Sequence, residues 1–155
     1  RGRTLALRML RRHRLIETWL VESFGYGWDE VHDEAEILEH AVSDRFLEAI
    51  AEKLGHPLRD PHGDPIPRAD GSVEQPDAVL LCDAPDGFSG AVVRISDRDP
   101  ELLQYLGEQG FALDSTVAVL ERLPFGGALS VRLDAVVRDL GDEAAKAIWL
   151  ARPAR

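Results

Sequence analysis

The densest group of potential metal ligands lies in the segment EVHDEAEILEH, which contains two histidines and five acidic residues in eleven positions. Four of them are spaced by four, three and one residues: His32, Glu36, Glu39 and His40. At 3.6 residues per turn, this spacing places the four side chains within about 100° of a helix circumference. Imidazole and carboxylate groups together suit divalent ions such as Mn²⁺, Fe²⁺, Co²⁺ and Zn²⁺. The stripe is a candidate for half of a metal site.

A second pair of the same ligand types precedes this segment. The run HRLIE places His13 and Glu17 one turn apart on one face of a helix. Taken singly, such pairs are ordinary surface contacts worth about 0.2–0.5 kcal/mol, so a solvated acidic face is the alternative. The stacking of four candidate ligands on one stripe favours metal binding. Six candidates on two helices exceed the needs of one ion, so two neighbouring sites are expected.

Loop residues add three further candidate ligands. Asp60 and His62 lie in the proline-stiffened turn RDPHGDPIP, where the alternative is a surface turn in which Asp60 caps backbone amides. In RISDRDPE, Asp99 precedes a helix as its expected N-cap, whereas Asp97 has no such local duty. Asp97 is therefore the candidate ligand from a different part of the chain.

Composition limits the classes of protein. The 155 residues are 45% hydrophobic, which favours a packed fold over disorder, and no apolar run approaches the ~20 residues of a membrane span. The only cysteine, Cys82, excludes an internal disulfide framework and fits the reducing cytoplasm. The net charge of −10 argues against nucleic-acid binding by the segment as a whole, although six arginines fall within residues 1–14. Nucleophile-elbow and phosphate-loop motifs are absent, so the sequence offers no support for those enzyme classes.

The ligands must be positioned by an α+β chain of two domains. Helical periodicity predicts helices over residues 3–24 and about 29–42, and a third that begins at the N-cap Ser43, turns Phe46 inward and ends at Gly55. Three helices enclose little core alone, so an apolar face should remain for a second copy to bury.

The rest of the chain has the texture of a small β-barrel. Residues 56–78 are rich in proline, glycine and aspartate and are expected to be loop and linker. Six β-branched runs follow, interrupted by one short helix over 99–110: AVLLC, GAVVRIS, STVAVLERL, ALSVRLD, AVVRDLG and KAIWLAR. The predicted domains are 1–68 (helical), 69–77 (linker) and 78–155 (barrel).

These residues carry a resemblance to a known family. The motifs RRHRLIE, VHDEA with EH and SD after it, and PHGDPIP resemble the dimerisation domain of metal-dependent transcriptional repressors of the diphtheria toxin repressor type, over residues 2 to about 68. GAVVRISD, PELLQYL and RLPFGGALSVRL look like the SH3-like barrel of the FeoA type that ends many members. Essentially the whole chain is covered.

The resemblance implies a homodimeric regulator that is not an enzyme. Its operator DNA is bound by an amino-terminal winged helix that this sequence lacks, so the sequence is expected to be a fragment. His13, Glu17 and His32 match one metal site of the iron-responsive members, and Glu39 and His40 match two ligands of the other. Asp60, His62 and Asp97 resemble a further set used by some manganese-responsive members together with the glutamate at Glu17.

Glu36 indicates which metal is sensed. Iron-responsive members carry cysteine at this position and manganese-responsive members carry glutamate, and a hard carboxylate favours Mn²⁺ over softer ions. The sequence is thus similar to a manganese transport regulator. The alternatives are an iron-responsive regulator, a carboxylate-bridged dimetal enzyme, and a purely structural dimerisation module whose acidic helix is a solvated face.

Overall fold

The computed structural model describes residues 2–153 of the chain, so residues 1, 154 and 155 at the ends of the predicted domains lie outside the described residues. The chain divides between Gln75 and Pro76 into two compact units, and this division falls within the segment predicted as linker. None of the helices within residues 2–153 combines the length and the apolar character needed to span a membrane.

The first unit is built from three helices, α1 (Gly2–Phe24), α2 (Val31–Leu38) and α3 (Asp44–Lys53). Helix α1 ends before Gly25, which has a positive φ of 72° that glycine adopts without steric cost. Helix α3 begins at Ser43, whose hydroxyl accepts a hydrogen bond from the Phe46 amide. This cap confirms the helix start predicted from the sequence.

The core of the first unit lies between the inner faces of these helices. Its buried members come from all three helices and from the loop after them: Leu15, Ile16, Leu20, Val31, Ala35, Leu47, Ala51 and Ile66. Leu15 and Ile16 precede Glu17 in α1, and Val31 and Ala35 flank His32 in α2. Packing of these apolar neighbours therefore sets the separation of the two helices that carry the candidate ligands.

The second unit is a six-stranded antiparallel sheet of the small SH3-like type. Its strands are β1 (Ala78–Leu80), β2 (Ser89–Ile95), β3 (Thr116–Arg122), β4 (Leu129–Leu133), β5 (Val136–Leu140) and β6 (Ile148–Ala151). They pair in the order β1-β6-β2-β3-β4-β5. Register irregularities between Val92 and Arg94 and between Val119 and Glu121 bend the sheet.

All six β-branched runs contain a strand, and helix α4 (Pro100–Glu108) is capped by Asp99 as predicted. A short 3₁₀ turn, Leu81–Asp83, and a one-turn helix, α5 (Asp142–Ala145), were not predicted. The α+β prediction of a three-helix domain followed by an SH3-like domain is confirmed.

Two local predictions about the helices are wrong. Helix α2 is shorter than 29–42, because it starts after Glu30 and gives way at Glu39 to tight turns in which the amides of Ala41 and Val42 both donate to the carbonyl of Leu38. Phe46 was expected to face inward, but it is exposed and packs edge-on against Trp19, at a ring distance of 5.6 Å.

Candidate metal centre

Helices α1 and α2 bring His13, Glu17 and His32 together. One ligand atom from each of the three residues lies within 4.8 Å of the others. His13 Nε2 is 3.1 Å from His32 Nδ1 and 3.4 Å from Glu17 Oε1. The other ring nitrogen of His13, Nδ1, donates a hydrogen bond to Glu39 Oε2 over 3.1 Å. These four residues are named the helical cluster below: His13, Glu17, His32 and Glu39.

Within the helical cluster, the neighbouring charges change the pKa of His13. Burial acts to lower the pKa of His13, but the hydrogen bonds and negative charges of Glu17 and Glu39 outweigh it and raise this pKa to about 9. The geometry agrees, because both ring nitrogens face acceptor atoms and only an imidazolium has a proton for each. In the absence of metal, protonated His13 thus supplies the positive charge that the two carboxylates require.

The remaining residues of the α2 stripe are more exposed. Glu36 Oε1 lies 3.3 Å from His32 Nε2, and these two form a second ligand group with Asp33 on the solvent side of α2. His40 lies beyond the end of α2 and approaches Glu39 Oε1 at 3.7 Å. Glu36, Glu39 and His40 do not form a mutual ligand group in the described part of the chain. His32 and Glu39 thus connect the exposed ligands to the helical cluster.

Arg12 holds the end of α2 against α1. Its guanidinium donates hydrogen bonds to the carbonyl oxygens of Glu39 and Val42 and to the carboxylate of Asp44. Because the carbonyls that follow the last helical turn have no partner within the helix, these bonds fix the turn that carries Glu39. The sequence showed an arginine-rich α1 but not this role.

A second group of ligand types lies in the loop that follows α3. Ligand atoms of Asp60, His62 and Asp64 lie within 4.8 Å of one another, and all three residues are buried. Asp60 Oδ1 accepts hydrogen bonds from the amides of His62 and Asp64, each over 2.9 Å. Asp60 therefore caps backbone amides, which was the alternative to metal binding, but its carboxylate is buried rather than at the surface. These three residues are named the loop cluster below.

Asp64 is the member of the loop cluster that the sequence reasoning missed. It follows His62 by two residues in PHGDP, the spacing that also separates Asp60 from His62. This regular spacing of Asp60, His62 and Asp64 was the sequence signal that could have identified Asp64 as a candidate ligand. Burial, followed by the negative charges of Asp64 and Glu17, raises the pKa of Asp60 to about 8.

The loop cluster is fixed to α1 and to the turn before α2. Arg14 donates to the carbonyl of Pro65, and Arg11 donates to the carbonyl of Pro67 over 3.0 Å. The Nε2 of His62 donates to the carbonyl of Trp28 over 2.6 Å, and the Trp28 ring stacks on the imidazole. These contacts hold the loop beneath Glu17, whose Oε2 lies 3.9 Å from His62 Nδ1.

The donor set fits a divalent cation. Glu17 is 1% exposed, and its Oε2 is buried without a hydrogen-bond donor among the described residues. A buried carboxylate oxygen without a donor is costly unless a cation approaches it. Nitrogen and carboxylate oxygen ligands without a thiolate suit Mn²⁺ and similar ions. Asp97 belongs to the second unit, in the turn after β2, and its role as a ligand stays a prediction.

Comparison with known proteins gives two family matches. Residues 1–68 match the iron dependent repressor metal binding and dimerisation domain, and residues 79–152 match the FeoA domain. The iron-dependent repressor IdeR of Mycobacterium tuberculosis is 35% identical over 146 residues, which cover 84% of this chain and 62% of that protein. The diphtheria toxin repressor of Corynebacterium efficiens is 31% identical over 157 residues, covering 95% of this chain and 67% of that protein.

Solved structures give a higher similarity. A structure described as a manganese-dependent transcriptional repressor in complex with manganese is 56% identical, with a TM-score of 0.93 over 97% of this chain and 72% of that chain. The structure of the manganese regulator SloR is 31% identical, with a TM-score of 0.84.

The fold and the ligand clusters define a metal-binding and dimerisation domain joined to a FeoA-type domain. The chain belongs to the diphtheria toxin repressor family of metal-dependent transcriptional repressors, which is not a family of enzymes. It spans 62% of the length of the mycobacterial iron-dependent repressors that it matches.

Proposed function

We propose that this chain is the metal-sensing and dimerising portion of a manganese-dependent transcriptional repressor that controls metal-ion homeostasis. The observation that carries the proposal is the convergence of His13, Glu17 and His32, from two different helices, within 4.8 Å. A chance acidic face would spread its carboxylates into solvent. Here Glu17 is buried and faces two imidazoles instead.

Manganese is the proposed metal, with Fe²⁺, Co²⁺ and Zn²⁺ as alternatives. The proposed ligands are His13, Glu17, His32, Glu36, Glu39, His40, Asp60, His62 and Asp97, a set of nitrogen and oxygen donors without a thiolate. Hard oxygen ligands favour Mn²⁺ over soft metals. The similarity to a structure described as a complex with manganese supports the same choice. The opposing observation is that iron-dependent repressors are 32–35% identical to the chain, and an iron-responsive regulator is the second candidate.

The proposed mechanism is a shift in a conformational equilibrium rather than catalysis. A bound divalent cation supplies the positive charge that neutralises the clustered carboxylates. The chain's own residues then act as links: Glu17 and His13 belong to α1, His32 to α2, and His62 to the loop. Without the cation, protons on His13 and Asp60 must take over this neutralisation. Coupling of this kind is typically about 1–3 kcal/mol.

A second copy of the chain is the proposed partner of an exposed aromatic face. Trp19 packs edge-on against Phe24 at 5.2 Å and against Phe46 at 5.6 Å, and both phenylalanines remain largely exposed. Exposed aromatic groups at adjacent positions are typical of surfaces buried between subunits. The match to a dimerisation domain over residues 1–68 supports a homodimer.

DNA binding is assigned, as part of the proposal, to the winged-helix domain that the resemblance places before α1. The acidic charge of residues 15–52 disfavours operator binding by the helical unit itself. A repressor that acts on operator DNA works in the cytoplasm, without a role for a membrane.

The test of the metal assignment uses Glu36. Glu36→Ala should weaken Mn²⁺ binding about tenfold or more, and Glu36→Cys should shift the preference towards Fe²⁺ or Zn²⁺ because a thiolate is a softer ligand. Calorimetric titration with each metal measures both effects, and Glu52→Ala, an exposed glutamate on α3, is the matched control. If both Glu36 variants bound Mn²⁺, Fe²⁺ and Zn²⁺ with unchanged affinity and selectivity, the assignment of Glu36 as a manganese ligand would be wrong.

A further inference from the structure

Arg12 joins α1 to the turn after α2 and to the first residue of α3 through one guanidinium group. Its Nε donates to the carbonyl of Glu39 over 3.0 Å, and one terminal nitrogen donates to the carbonyl of Val42. The other terminal nitrogen donates to Asp44 Oδ1 over 2.8 Å. The Arg12 side chain is only 13% exposed, so these bonds are largely shielded from water. Three acceptors in different directions hold the planar group in one orientation.

Glu39 is fixed at its backbone by Arg12 and at its side chain by His13. Its carbonyl accepts from the guanidinium, and its Oε2 lies 3.1 Å from His13 Nδ1. Glu39 follows Leu38, the last residue of α2, where carbonyl oxygens have no acceptor role within the helix. Two adjacent residues of α1 therefore determine where this glutamate lies. If the bond from Arg12 is lost, the carboxylate of Glu39 is free to move away from the imidazole.

The contact between Glu39 and His13 is of the kind that orients a metal-binding imidazole. A ligating histidine usually donates its second ring nitrogen to a carboxylate or a carbonyl, which fixes the tautomer and the direction of the ring. With Nδ1 bonded to Glu39, His13 directs Nε2 towards Glu17 and His32. Loss of such an outer contact typically weakens metal binding about 10–100-fold.

We propose that Arg12 is a positioning residue for the metal site and acts through Glu39 on the orientation of His13. Arg12 is not a ligand, because a guanidinium offers only donors. This inference rests on the proposed function, since it requires that the helical cluster binds a metal. It assigns a role in metal affinity to a cationic side chain, which is the opposite of what its charge alone would do.

The sign of the effect distinguishes positioning from simple electrostatics. Arg12 carries a positive charge and directly precedes the proposed ligand His13. By Coulomb repulsion alone, removal of this charge should strengthen the binding of a divalent cation. If Arg12 instead positions Glu39, its removal should weaken binding, and lysine should not replace it because a single ammonium group lacks the planar fork that reaches three acceptors.

The experiment is calorimetric titration of the 155-residue chain with Mn²⁺ at one pH. Arg12→Met and Arg12→Lys should each weaken binding about tenfold, the lower end of the range for outer contacts of a metal site. The control is Arg8→Met, one turn away on α1, which removes the same charge from an exposed side chain that contacts Asp44 only at 3.8 Å. This control should bind Mn²⁺ as tightly as wild type or slightly more tightly. Circular dichroism and urea unfolding in a chelator identify any variant that has lost its fold, and Arg12→Lys retains the charge that pairs with Asp44.

A double-mutant cycle tests whether Arg12 acts through Glu39. Once Glu39→Gln has been made, the further change Arg12→Met should weaken Mn²⁺ binding by less than about twofold, because the contact that Arg12 positions is already lost. Fully additive effects would overturn this route.

The outcomes separate this inference from the proposed function. Wild-type or tighter Mn²⁺ binding by folded Arg12→Met or Arg12→Lys would overturn the positioning role and leave the metal-sensing function intact. If the wild-type chain binds no Mn²⁺ at the helical cluster, the proposed function fails together with this inference.

Discussion

Metal binding to the helical cluster should depend steeply on pH because His13 must lose a proton. With its pKa raised to about 9 by Glu17 and Glu39, roughly 1% of His13 is neutral at pH 7 in the metal-free protein. A metal ion binds the neutral ring, so the apparent affinity should rise about tenfold per pH unit between pH 7 and pH 8 and level off above about pH 9. Over this range the total gain is about a hundredfold, reduced in part because the ring keeps some contact with water.

The assay is calorimetric titration with Mn²⁺ at several pH values, in pairs of buffers that differ in ionisation enthalpy. The difference between buffers counts the protons released, and about one proton per ion is expected from His13 at pH 7. His56 is the control position: it is exposed with a positive φ of 54°, a conformation that asparagine tolerates, and His56→Asn should leave the pH dependence unchanged. Affinity that is independent of pH between 7 and 9 would refute the reasoning that a proton occupies the cluster.

Three further predictions concern stability and assembly. In metal-free protein the raised pKa of Asp60 means that its contribution to stability is fully present below its ordinary pKa near 3.8 and is lost progressively up to about pH 8. The unfolding free energy of Asp60→Asn relative to wild type should therefore rise by roughly 2–3 kcal/mol from pH 6 to pH 9, measured by urea unfolding in a chelator, and a difference that does not change with pH would contradict this. Phe46→Asp should convert the proposed homodimer to a monomer in sedimentation experiments without loss of helical signal, whereas Asp86→Asn, at an exposed position of the second unit, should leave the dimer intact. Leu15→Ala, at a fully buried position in the core beside Glu17, should reduce the free energy of unfolding by about 2–5 kcal/mol; a change below about 1 kcal/mol would contradict its placement.

Patterns within a few residues predicted most of the elements. The six β-branched runs between turn residues each contain a strand, because alternation and turn chemistry act over the length of the run itself. Asp99 and Ser43 were recognised as caps for the same reason, since each bonds an amide two or three residues away. Helix α2 was overestimated because its end is set by Arg12 from α1, a contact that the local sequence does not contain.

The candidate site could be predicted only in part from the sequence, because contacts between distant residues decide the rest. Spacing places His13 on the same face as Glu17, but it does not show that Glu17 is buried or that its second oxygen faces His62. Asp64 was missed because a Gly-Asp-Pro sequence is typical of an exposed turn, and here the loop is held inside by Arg14. Long-range anchors of this kind determine which acidic residues are solvated and which are available to a cation.

The central claim, that His13, Glu17 and His32 hold a manganese ion, is tested most directly by anomalous diffraction from crystals of the chain grown with Mn²⁺. The account predicts a manganese peak within bonding distance of Nε2 of His13 and a carboxylate oxygen of Glu17, next to His32 on α2. Manganese peaks confined to exposed acidic residues elsewhere, with none beside Nε2 of His13, would contradict it.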